Sequence, residues 1–213
     1  MTFDPNCRRC QRLAGFLRQV KIDHPDYHAA PVAPFGDPHA HLLIVGLAPG
    51  MHGANATGRP FTGDHAGILL YQTLYDRGFS NQPEAWAADD GLILKNCRIT
   101  NAVKCLPPQN KPVGAEINTC NDFLLQELAG MPADSIVVAL GSIAHRAVIK
   151  AQGLKQKAFP FSHGGEHRIN EKLRLIDSYH CSRYNTQTRR LTAEMFDAVF
   201  LRVNALLGEK TSR

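Results

Sequence analysis

The residues with the most specific chemistry in this chain are its cysteines, two of which form the turn Cys7-Arg-Arg-Cys10. A Cys-x2-Cys turn lets two thiolates converge on one metal, and two further cysteines complete a four-thiolate site for zinc or an iron–sulfur cluster. Cys105 and Cys120, spaced as Cys-x14-Cys, are the candidates for the second pair. Cys97 and Cys181 lie in apolar or strand-like surroundings, where a cysteine acts as a small buried hydrophobe.

Three polar segments follow apolar runs. The first, GLAPGMHGANATGRPFTGD from Gly46 to Asp64, combines glycines with His52, Asn55, Arg59 and Phe61. Such a backbone can approach a substrate closely and offer N–H donors. It lacks the Gly-Lys-Ser/Thr ending of a nucleotide phosphate loop, which argues against an ATPase. The second, Lys104 to Lys111, follows the strand end Ile99-Thr-Asn-Ala-Val-Lys-Cys105, near which lies Asn101, whose amide has the donor and acceptor that a base edge requires, or which simply turns the chain there. The third, from Tyr179 to Thr192, puts His180 ahead of a run of hydroxyls, amides and arginines, a composition suited to phosphates and bases.

These segments need a scaffold that brings them together. Leu42 to Val45, Arg98 to Val103, Ser135 to Leu140 and Leu173 to Tyr179 read as buried parallel strands. Helical spacing is present over Ala66 to Arg77, Glu116 to Leu128, Gly141 to Lys150 and Thr192 to Leu207. Strands alternating with helices predict an α/β domain, a three-layer α/β/α sandwich around a mainly parallel four-stranded sheet. Ligands of such sheets bind beyond the carboxyl ends of the strands, where all three polar segments begin. Residues 1–213 are expected to form one domain, with a frayed tail from Gly208 to Arg213.

The 213 residues are 44% hydrophobic, enough for a sizeable core, and the net charge of +5 favours an anionic partner. No apolar run is long enough to cross a bilayer. Met1 to Cys10 is polar, unlike a signal peptide, so a cytoplasmic location with reduced thiols is expected.

Taken together, GLAPG…HGANATGRPFTGD, ITNAVKC, the four cysteines and YHCSRYNTQTRRLT resemble the uracil-DNA glycosylase superfamily, in particular its family 5, the type B enzymes. The resemblance implies a monofunctional hydrolase of base excision repair. Such an enzyme flips a deaminated base from double-stranded DNA, and in some cases single-stranded DNA, and hydrolyses its N-glycosidic bond. Uracil is the implied substrate, with hypoxanthine and xanthine as further ones. The resemblance also implies a [4Fe-4S] cluster on Cys7, Cys10, Cys105 and Cys120, and a monomer with no membrane partner.

By the same resemblance Phe61 stacks on the flipped base, Asn101 recognises its edge, His180 stabilises the departing base and Tyr184 takes the wedge position. Gly46, Ala48, Gly50, His52, Ser182 and Asn185 complete the substrate side. Superfamily members that carry an acidic or polar residue in the first motif differ from this chain, which has Leu47 and Ala48 there. Asp64 is the family's substitute for orienting water, and as a favoured N-cap residue it also suits the helix beginning at His65. Met51, Ala56, Cys181 and Arg189 are further departures, of which Met51 is expected to narrow the pocket towards pyrimidines. His163 and His167 flank Gly-Gly-Glu in a segment too irregular to present both rings on one helical face, which predicts a DNA-facing or packing role. His24 and His145 read as surface or helix residues. The alternatives are a family 4-like glycosylase strict for uracil, and a non-catalytic nucleic-acid-binding protein whose cysteines hold zinc.

Overall fold

The computed structural model describes residues 2–208. Its elements follow in the order α1 (Gln11–Asp23), β1 (Phe35–Gly36), β2 (Leu42–Gly46), α2 (Ala54–Thr57), α3 (His65–Asp76), β3 (Cys97–Asn101), α4 (Gly114–Ala129), β4 (Ser135–Leu140), α5 (Ser142–Ala151), β5 (Glu166–Arg168), β6 (Leu173–Ser178), α6 (Arg183–Gln187) and α7 (Ala193–Gly208). Of the expected tail, Gly208 closes α7 and the remainder lies outside the described residues.

The four expected strands form the parallel centre of the sheet. Two antiparallel edges extend it to six strands, in the order β1-β3-β2-β4-β6-β5. The edges escape the apolar reading because β1 has two residues and β5 is Glu166-His-Arg168. Alternation along the central strands divides the core. Leu42, Ile44, Ile99, Val138 and Ile176 meet α3 and α7 on one face, whereas Leu43, Val45, Val137, Ala139 and Leu175 meet α4 and α5 on the other. Cys97 and Cys181 are wholly buried in the first of these, as packing residues.

Helix α1, which the sequence reading leaves out, has its signal in Leu13, Leu17 and Val20, spaced along one face and all buried. Arg12 fixes it to α4 by donating to both oxygens of Glu116, each at 2.7 Å. Glu116 also accepts from the Val113 main-chain N–H at 2.9 Å, securing the first turn of α4. This packing carries Cys7 and Cys10 to the α4 side of the molecule.

Candidate active site

Parallel pairing sets Gly46 beside Asn101 at the ends of β2 and β3, and Leu140 beside Ser178 at the ends of β4 and β6. The segments leaving these ends enclose a cavity of about 470 Å³. Of the sequence-predicted residues, Ala48, Gly50, Phe61, Asp64, Asn101, His180, Ser182 and Asn185 line it. Gly46 lies behind it, against Asn101 and Phe61. His52 and Tyr184 are exposed and are not among its lining residues.

A methyl group at Gly46 would fall 2.4 Å from Asn101 Oδ1 and 2.6 Å from Phe61 Cζ, so glycine is what lets amide and ring close on the strand end. Asn101 is 3% exposed, and its Oδ1 has no hydrogen-bond partner among the described residues. A buried oxygen left unpaired costs about 1–3 kcal/mol, which a ligand's N–H would offset. The rest of the residue is held firmly. Its main-chain carbonyl accepts from Lys104 Nζ at 2.9 Å. Lys104 is itself buried, with Nζ 2.7 Å from Glu127 Oε1 and also donating to Thr100 Oγ1.

Phe61 is buried with a left-handed backbone, φ 54°. A conformation of that kind persists where its surroundings enforce it. Here Tyr71 Oη donates to the Pro60 carbonyl at 2.7 Å, and Arg59 Nε donates to Thr62 Oγ1 at 2.8 Å. The Arg59 guanidinium lies 2.6 Å from Asp90 Oδ2 in a pair whose side chains are only 5% and 12% exposed. Burial would raise the Asp90 carboxyl, but Arg59 and the main-chain N–H groups of Leu92, Trp86 and Ala87 hold it well below the usual range. The Phe61 ring lies alongside His180, with centroids 6.1 Å apart and planes 30° apart.

Burial pushes the His180 imidazole down to about 4, so the ring is neutral near physiological pH. Its Nδ1 is buried without a hydrogen-bond partner among the described residues. The His180 carbonyl accepts from Asn185 Nδ2 at 2.8 Å, and Ser182 caps α6 by accepting from the Asn185 N–H at 3.4 Å. Asn185 and Ser182 thus shape the turn that carries His180 as well as lining the cavity.

Asp64 caps α3, its Oδ1 accepting from the Gly67 N–H at 2.8 Å. Its other oxygen faces the glycine loop: a methyl group on Gly53 would come within 2.8 Å of Oδ2. Burial raises the Asp64 carboxyl above its ordinary value, against the N–H groups of Gly67 and Ala66.

Asn110, Ser142, Ile143, Phe161, Tyr179 and Arg190 also line the cavity. Asn110 follows Gln109, and both have left-handed backbones, φ 57° and 55°. The adjacent Pro107-Pro108 marks a constrained loop but gives no sign of its direction. Arg190 lies 4.8 Å above the Tyr179 ring. Met51 overturns the expectation that it narrows the pocket: it packs with Leu17, Val20 and Leu106, away from the lining, because helix α1 offers it an apolar surface. His145 is a helix residue, on α5, and is buried.

Cys7, Cys10, Cys105 and Cys120 converge beside Leu13, Val103 and Phe123, around one small cavity, with no disulfide among them. Burial pushes Cys105 up to about 12, with the other three cysteines adding to the effect. It pushes Cys120 up to about 11 against the Lys104 N–H, which lies 3.3 Å from Cys120 Sγ. Four soft donors whose deprotonation needs a nearby cation, one of them already facing an N–H donor, fit a thiophilic metal centre.

The chain is similar to known proteins over nearly its whole length. The uracil DNA glycosylase superfamily matches residues 33–204. The type-5 uracil-DNA glycosylase of Thermus thermophilus is 44% identical over 207 residues, which cover 95% of this chain and 94% of the relative. That of Pyrobaculum aerophilum is 41% identical, with 95% and 90% covered. The type-4 uracil-DNA glycosylase of Archaeoglobus fulgidus is 27% identical, with 96% and 90% covered. The strand-end cavity lies within the matched residues, and the similarity is greater to the type-5 proteins; the chain belongs to the type-5 branch of the uracil DNA glycosylase superfamily.

Proposed function

We propose that this protein is a monofunctional glycosylase that flips uracil out of DNA and hydrolyses its N-glycosidic bond in base excision repair. The observation that carries this reading is the buried Oδ1 of Asn101, without a partner among the described residues and set in one cavity with the Phe61 ring and the neutral imidazole of His180. Flipping costs a few kcal/mol, least at a mispaired base, and stacking on Phe61 offsets part of it. The Asn101 amide matches the N–H and adjacent carbonyl of the uracil edge. As the C1′–N bond breaks, its electron pair goes to the base, and an N–H of neutral His180 stabilises the anion at a carbonyl oxygen. Asp64 Oδ2 orients the water that adds to C1′ and takes up its proton.

Exposed Tyr184 serves as the wedge, and Arg190 at the cavity wall meets phosphate. With Met51 turned away, the cavity also admits the two-ring bases hypoxanthine and xanthine. The protein acts as a monomer on double-stranded DNA, and on single-stranded DNA where the base is already unpaired. Cys7, Cys10, Cys105 and Cys120 would hold a [4Fe-4S] cluster, which when bound supplies a structural cross-link between the segment leading into α1 and the loop before α4.

The test is incubation of purified protein with labelled oligonucleotides containing uracil opposite guanine, hypoxanthine or xanthine, followed by alkaline cleavage of abasic sites. Uracil is released without strand scission, and an inert protein overturns the reading. Among the described residues no lysine lines the cavity, so borohydride traps no covalent complex.

Asp64→Asn separates the residue's two roles. Asparagine keeps a cap for α3 but lacks the carboxylate, so single-turnover excision slows while DNA affinity and melting temperature change little. Protonation of the raised Asp64 carboxyl gives the wild-type enzyme an acid limb above the ordinary carboxylate value. Asp64→Asn removes that limb. A wild-type rate and an unchanged pH profile would assign Asp64 to capping alone.

A further inference from the structure

Asp177, three residues before His180 on β6, is wholly buried. Its Oδ1 lies 2.8 Å from Nδ1 of His145 on α5, and its Oδ2 lies 3.5 Å from Nε2 of His167 on β5. These three side chains present ligand atoms that all lie within 4.8 Å of one another. Both Asp177 Oδ2 and His167 Nε2 are buried without a hydrogen-bond partner among the described residues. The Phe161 ring meets His145 edge-on with centroids 5.7 Å apart, and the Phe159 ring meets His167 likewise at 5.8 Å.

The second nitrogen of His145, Nε2, is 2.8 Å from the Phe159 carbonyl. Both nitrogens of one ring therefore face oxygen atoms, whereas a neutral imidazole has a single N–H to give. A cation on the Nδ1 side resolves the conflict: Nδ1 binds it through the lone pair, and Nε2–H donates to the carbonyl, the usual support of a metal-bound histidine. Tetrahedral ligands at about 2.0–2.1 Å from zinc stand about 3.3–3.4 Å apart, a spacing bracketed here by 2.8 Å between His145 Nδ1 and Asp177 Oδ1, 3.5 Å between His167 Nε2 and Asp177 Oδ2 and the 4.8 Å within which all the ligand atoms lie.

The geometry points to a second metal site, in which His145, His167 and Asp177 bind one divalent cation of the zinc type and staple α5 to the β5–β6 hairpin. Two imidazoles and a carboxylate form a borderline nitrogen–oxygen donor set suited to zinc, distinct from the all-thiol site. The two oxygens of Asp177 face different rings, Oδ1 that of His145 and Oδ2 that of His167. β5 pairs antiparallel with β6, His167 opposite Leu175, which puts His167 and Asp177 on one face of the sheet. The irregular His163-to-His167 segment is a poor metal site by itself, and the third dimension gives His167 different partners.

The test uses protein with its cysteine-bound metal intact, washed with a mild chelator and titrated with Zn²⁺ alone. Wild type takes up about one zinc per chain, its iron content and visible absorbance do not change, and its melting temperature rises. Asp177→Asn and His167→Gln each weaken zinc binding by at least about tenfold, with iron unchanged. If Asp177→Asn does not fold, His167→Gln at the sheet edge provides the reading. Wild type that holds no zinc, or variants that hold it as tightly as wild type, would overturn the site and leave a proton-sharing His–Asp–His group. Uracil release is read separately, so failure of the proposed activity and failure of this site are distinguishable.

Discussion

His180→Ala slows single-turnover release of uracil by about 10²- to 10³-fold, the loss expected when a donor to developing charge is removed. Asn101→Ala falls in the same range. Asn101 Oδ1 and His180 Nδ1 have no hydrogen-bond partner among the described residues, whereas the main-chain carbonyls of both residues accept hydrogen bonds that hold their segments in place. Both variants therefore keep their circular dichroism and melting temperature. Single-turnover rates on a U·G duplex at saturating enzyme check this. Activity lost only in proportion to stability would withdraw the catalytic role of that residue.

Cys120→Ser has the larger effect on the whole molecule. Cys120 is 7% exposed and belongs to the thiol group that joins the N-terminal segment to α4. With four-thiolate ligation of an iron–sulfur cluster, iron and labile sulfide fall from about four each per chain to near zero, and the brown colour is lost. Because binding free energy of such a centre is folding free energy, the free energy of unfolding falls by several kcal/mol and the melting temperature falls with it. Iron and sulfide analysis with a thermal melt measures both. Wild-type protein from iron-replete cells that holds stoichiometric zinc and no labile sulfide would overturn the assignment.

The sheet was legible because parallel strands buried on both faces appear as unbroken apolar runs, and LLIV and SIVVAL are such runs. The segments carrying Asp64, Asn101 and His180 could be placed together for the same reason, since they begin where those runs end. What remained hidden depends on partners far apart in the chain. Arg59 is 31 residues from Asp90, and His145 is 32 from Asp177, and no local period encodes either pair. Phe61 was identifiable as an aromatic in a polar loop, but its left-handed backbone follows from Tyr71 and Arg59, which only the folded chain brings to it. Met51 misled because Gly50 beside it in sequence lines the cavity, while its neighbours in space are Leu17 and Val20 of α1 and Leu106.

The stretch from Asn101 to Cys105 carries a consequence for how this lineage can vary. The Ala102 and Val103 N–H groups donate to Gly46 and Leu47, Lys104 reaches back to Asn101 with its side chain and to Cys120 with its N–H, and Cys105 belongs to the thiol group. Connections after a strand ordinarily tolerate gained or lost residues. Here a single insertion or deletion would put either the base-facing amide or the thiol out of place, so related chains can drift in residue type along this segment but not in its length.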